Sequence, residues 1–168
     1  MKKRIIIMII SLIVVCALGF LVLGIIQYNN HDGKSTESRE LIIGDVYKDS
    51  EIYSEFILDD NGEHIISAFY YDACLAIAYF RQDNSGRYQM INAKVSNNDE
   101  ECIILEVGFN DKEYYVGAIN QDNLKNALIT YTYADGEQST VEKEVSGKGI
   151  FLCERPEEVH SIMVEYRR

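Results

Sequence analysis

Ile5 to Ile26 is a run of 22 residues without a charged side chain, introduced by Lys2, Lys3 and Arg4, and it constrains this chain more than any other stretch. As a helix rising about 1.5 Å per residue it measures roughly 33 Å, against about 30 Å of bilayer hydrocarbon. The run therefore predicts one transmembrane crossing; a soluble core helix of this length carries a polar face, and this one has none. A cleaved secretory signal is the rival, because Ala17-Leu18-Gly19 supplies the small residues of a cleavage site. Cleavage after Gly19 would leave Phe20, Leu21, Val22, Leu23, Ile25 and Ile26 as an apolar tail in need of burial, so the run reads as an uncleaved signal-anchor. Cys16 follows Val15 rather than a small residue, which disfavours a lipid-modified cysteine.

No Lys or Arg follows the run until Lys34, so the positive-inside bias places the N-terminus in the cytoplasm and everything from Gln27 onward outside. Four parts result: a cytoplasmic basic tip (1–4), a transmembrane helix (5–26) whose partner is the lipid bilayer, a polar linker (27–40) and an extracytoplasmic β-domain (41–168). The linker, QYNNHDGKSTESRE, is nearly free of aliphatic residues and predicts a solvated, swinging connection.

The chain carries a net charge of −11, and residues 1–30 hold three basic groups and no acid, so residues 31–168 carry −14. Phosphate backbones and anionic headgroups repel such a surface, which excludes nucleic acid and peripheral lipid docking. A solvated acidic face is the plain reading of the charge. About 138 residues suffice for one domain with its own core.

Beyond Leu41 the apolar residues fall in short segments. Candidate strands are Leu41 to Tyr47, Ile52 to Leu58, His64 to Tyr71, Ala73 to Phe80, Arg87 to Val95, Cys102 to Phe109, Tyr114 to Ile119, Ala127 to Tyr133, Ser139 to Val145, Ile150 to Cys153 and His160 to Tyr166. Asn61-Gly62 and Asp135-Gly136 mark hairpins. Ala73 to Phe80 is apolar throughout and predicts a central strand buried on both faces, a short helix being the alternative. Ile103, Leu105, Val107 and Phe109 alternate at strict period two. In Arg87 to Val95, Tyr88, Met90 and Ala93 are expected on one side. Gln121 to Lys125 is expected to form a helical turn. Short strands with turn signals at this spacing predict an all-β, antiparallel β-sandwich, with an Ig-like form or a small barrel as alternatives.

Tyr115-Val116-Gly117-Ala118-Ile119, Leu124-Lys125-Asn126, Ile129-Thr130-Tyr131, Asp135-Gly136 and Gly149-Ile150-Phe151-Leu152 together resemble the closing half of small single-pass, membrane-anchored β-domain proteins of Gram-positive bacteria. The resemblance covers about a quarter of the chain. It implies a bacterial envelope setting and an all-β domain, and it carries over no functional residue.

Candidate chemistry is sparse. No Gly-x-Ser-x-Gly elbow, His-Glu-x-x-His helix or phosphate-cradling glycine loop occurs. Asp59, Glu63 and His64 form an acid–base group on paper, but a hairpin tip is their expected place, where water screens charge. Asp59-Asp60-Asn61-Gly62 fails the EF-hand order and reads as turn chemistry. Cys74, Cys102 and Cys153 lie in apolar runs without Cys-x-x-Cys spacing and read as buried small hydrophobes, one disulfide among them being the alternative. No cofactor or metal site is expected.

Tyrosine is abundant and often paired, as in Tyr70-Tyr71 and Tyr114-Tyr115. Adjacent strand residues point to opposite faces, so Tyr115, Tyr131 and Tyr133 would form an exposed aromatic face for a protein or glycan partner if they align. Cross-strand packing is the structural alternative. The expected role is non-enzymatic binding or accessory work at the cell envelope, with an envelope hydrolase as the alternative.

Overall fold

The computed structural model describes residues 18–19, 31–97, 100–119, 125–145 and 149–167. Of the predicted transmembrane run only Leu18 and Gly19 are described, both helical; the rest of 5–26, and Gln121 to Leu124 of the predicted helical turn, lie outside the described residues. Among the described residues no helix is long and apolar enough to cross a membrane.

Among the residues described from 31 onward, helix α1 (Thr36–Val46) precedes ten strands: β1 (Glu51–Ile57), β2 (His64–Tyr71), β3 (Cys74–Gln82), β4 (Tyr88–Val95), β5 (Cys102–Phe109), β6 (Lys112–Ile119), β7 (Asn126–Tyr133), β8 (Gln138–Glu144), β9 (Ile150–Glu154) and β10 (Val159–Arg167). They form three antiparallel sheets ordered β1-β2-β3-β4, β5-β6-β9 and β10-β7-β8. The antiparallel, mostly β architecture expected from the turn spacing is thus what the chain adopts.

Alternation along the strands sorts the side chains into three apolar layers. Between the first and middle sheets lie Ile66, Ala68, Leu75, Ile77 and Tyr79, facing Ile103, Leu105, Val107, Phe109, Val116, Ala118 and Ile150. The opposite face of the middle sheet gives Tyr115, Ile119, Phe151 and Cys153 to a second layer, shared with Ala127, Ile129 and Tyr131 of the third sheet. The far side of the first sheet, with Phe69, Ala76, Ala78 and Phe80, shares a third layer with Ile43 of α1. Burial on both faces is the reason β3 reads as one continuous apolar run, and Cys74 through Phe80 are all buried. The period-two set of β5 falls wholly in the first layer.

β4 keeps Tyr88, Met90, Ala93 and Val95 together against the third layer although their spacing breaks alternation. A bulge does this: Phe80 pairs with Met90 and Tyr79 with Asn92, leaving Ile91 as the extra residue.

Two predictions near the start of the domain are corrected. Leu41 to Val46 is the second half of α1, with Tyr47 as its C-cap, and not a strand. Ser35 caps the helix, its hydroxyl accepting from the Ser38 N–H at 3.1 Å, and the Tyr47 N–H closes it on the Ile43 carbonyl at 2.7 Å. Burial of Ile43 and Arg39 on the sheet then outweighs the β-preference of Leu-Ile-Ile. Residues 31–40 of the predicted linker are likewise packed, because their polar groups find partners inside the fold. The Tyr88 N–H donates to the Asp32 carbonyl at 2.7 Å and the Gly33 N–H to the Ser38 hydroxyl at 2.8 Å.

Candidate functional site

The tyrosines meet, but from two facing sheets rather than on one exposed face. Tyr115 on β6 and Tyr131 on β7 are 4% and 2% exposed, their rings stacked with centroids 6.2 Å apart. Tyr133 is half-buried in the same layer, its hydroxyl 3.3 Å from that of Ser139. The expectation of exposed rings assumes two sheets, in which one ring of each pair faces water; a third sheet covers that face here. Burial pushes the Tyr115 and Tyr131 hydroxyls above their ordinary pKa, and Arg155 lies over the Tyr115 ring, 5.8 Å from its centroid. Tyr115 and Tyr131 are core and Tyr133 lies at its margin, so the three rings make no exposed platform.

Asp59, Glu63 and His64 do come together. A ring nitrogen of His64 and one oxygen from each carboxylate lie within 4.8 Å of one another. The imidazole is 8% exposed, its Nδ1 is 2.6 Å from the Tyr79 hydroxyl, and its ring lies against Tyr79 and Phe109 at 5.9 and 5.2 Å. Tyr79 in turn donates to the Gly108 carbonyl at 3.4 Å. The histidine thus serves the joint between β2, β3 and β5, its Nδ1 satisfied by Tyr79 inside that joint.

A second polar cluster fastens α1. Arg39 grips the Glu55 carboxylate through Nε at 2.6 Å and Nη2 at 2.7 Å and donates from Nη1 to the Gly33 carbonyl at 2.6 Å. Glu55 also accepts from Thr36 at 2.5 Å and Ser67 at 2.7 Å. Burial alone would raise the Glu55 carboxyl, but these donors and the guanidinium charge outweigh it and hold the group below its ordinary value. Every oxygen is engaged, so the cluster is a clasp rather than a site.

The open chemistry lies along β5, an edge strand of the middle sheet. A groove of about 430 Å³ runs beside it, lined by Cys102 to Glu106, by Lys94 and Glu100, by Tyr115, and by Ile162 of the third sheet. Lys94 Nζ donates to the Ile104 carbonyl at 3.0 Å, so that carbonyl faces the groove. Cys102 is not a nucleophile in waiting: burial pushes its thiol up to about 11, and it is a free cysteine like Cys153. What the groove presents is main-chain donors and acceptors beside an apolar wall, the equipment of a binding surface. Sequence reasoning missed it because its walls come from all three sheets, and nothing in Cys102 to Phe109 marks the strand as an edge.

Comparison with protein-family models, curated proteins and solved structures finds no match to this chain.

Proposed function

We propose that this chain is a single-pass membrane protein whose residues 5–26 anchor an extracytoplasmic β-domain of sandwich-like stacked sheets, and that the domain binds another envelope component without chemistry of its own. The observation that carries the reading is the clasp of α1 onto the first sheet. His31, which belongs to the packed segment, is five residues beyond Ile26. At no more than about 3.6 Å per extended residue, that leaves the chain about 18 Å to cover. A domain held this close to the outer leaflet meets partners in or on the membrane, and its charge of −14 keeps it from lying down on anionic lipid. The resemblance to Gram-positive membrane-anchored proteins agrees with that setting.

A photoreactive side chain placed in turn at Ile57, Glu106 and Thr140, all exposed, tests the binding role in intact cells. An adduct at one or more positions is expected. Absence of adducts at all three contradicts the reading.

A further inference from the structure

We infer that the outer edge of β5 takes an extended basic peptide segment as an added strand. This inference rests on the binding role proposed above and gives it a site and a ligand class.

The register of the hairpin says which groups are available. Phe109 pairs with Lys112 across Asn110 and Asp111, whose φ angles of 52° and 58° are those of a two-residue type I′ turn. The pair closing such a turn exchanges both hydrogen bonds, and pairs then alternate. Val107, Leu105 and Ile103 therefore bond inward to β6, while Gly108, Glu106, Ile104 and Cys102 turn their N–H and C=O groups outward. Two contacts confirm the direction: the Tyr79 hydroxyl donates to the Gly108 carbonyl and Lys94 Nζ to the Ile104 carbonyl. The Ile104 N–H and both main-chain groups of Glu106 find no partner among the described residues.

An added strand would satisfy these groups while laying alternate side chains against Ile162. Charge sets its character. Glu100 and Glu106 line the groove, and both are exposed. Glu100 is held by the uncharged side chain of Asn97 at 2.8 Å, and Glu106 by Arg155 at 3.2 Å through one oxygen. With a charge of −14 on residues 31–168, the edge draws a cationic segment and repels a second copy of itself. Lys94 is the guard. Its ammonium occupies the Ile104 carbonyl, repels a basic guest and must swing away, as edge lysines do where strand addition is regulated or prevented.

The full chain in phosphatidylcholine nanodiscs, which lack anionic headgroups, is titrated with a fluorescent lysine–valine alternating peptide N-methylated on every second residue, so that it can pair along one edge only. Saturable binding is expected, with slowed amide exchange at Ile104 and Glu106. Full N-methylation of the peptide should weaken binding by about tenfold or more, as should Glu106→Pro relative to Glu106→Gln, which loses the same charge but keeps the outward N–H. Lys94→Ala should tighten it. If Glu106→Pro fails to fold, the two peptides decide alone. Equal binding of both peptides means charge adhesion and overturns the inference; so does no binding, or self-association of the chain through β5. Adducts at Ile57 or Thr140 in cells without peptide binding at β5 would sink the groove and leave the binding role standing, whereas absence of every adduct sinks the binding role itself.

Discussion

Ala73 sits where a β-carbon is unwelcome. With Asp72 it forms the two-residue turn between β2 and β3, at φ values of 50° and 62°, closed by the Tyr71 and Cys74 pair. The left-handed region costs a non-glycine residue about 1–2 kcal/mol, part of which glycine gives back as chain entropy in the unfolded state. Ala73→Gly is therefore expected to raise the urea midpoint, by about 0.5–1 kcal/mol of stability. Gly117 presents the opposite case: a β-carbon there would fall 2.0 Å from the ring of Phe151, which is 1% exposed. Gly117→Ala should cost about 1–3 kcal/mol through overpacking. Adding Phe151→Leu should recover part of that loss, a coupling that a double-mutant cycle reads from denaturation midpoints. Neither position was legible in the sequence. Asp-Ala is not a recognised hairpin pair, and a glycine in a strand does not say which ring it makes room for.

At the scale of elements, strands were legible wherever one face is buried. Alternation in β5 and the unbroken apolar run of β3 both follow from how the sheets stack, so the pattern carried the structure. Helix α1 was not legible, because its stability is not written in its own apolar spacing. Only Ile43 among its aliphatic residues is fully buried, while Leu41 and Val46 are 46% and 60% exposed. Its anchorage is the Arg39–Glu55 pair, whose members come from separate elements and whose side chains are 7% and 19% exposed. Glu55→Gln leaves Arg39 without its countercharge and should cost about 2 kcal/mol, less than a fully enclosed pair because water still reaches the carboxylate. The same pair makes α1 acid-sensitive. Because the carboxyl is lowered in the fold from an ordinary value of 4.5, its stabilisation is complete above that pH and is lost as pH falls through the folded value. Amide exchange in α1 should therefore accelerate as pH drops below about 4.5, beyond the intrinsic pH effect. In Glu55→Gln that acid-dependent component should vanish; an unchanged profile in the variant would assign it elsewhere.

The whole molecule departs from the sequence reading by one layer. Counting strands and turns predicts the antiparallel class but cannot count sheets, and the difference between two and three decides whether Tyr115 and Tyr131 face water or core. Their alignment is a condition in the sequence reading, with cross-strand packing as its alternative; burial wins because β7, next in sequence after β6, leaves that sheet and pairs instead with β8 and β10 to cover it. The β5 groove was hidden for the same reason. In the proposed role the acidic domain stands outside the cell on an uncleaved anchor. A membrane-impermeant amine reagent applied to intact cells, followed by an alkaline carbonate wash of their membranes, tests it directly. The full-length chain should be labelled before lysis and stay with the washed membranes; a chain labelled only after lysis, or released by the wash in a form beginning near Phe20, would overturn the anchored role.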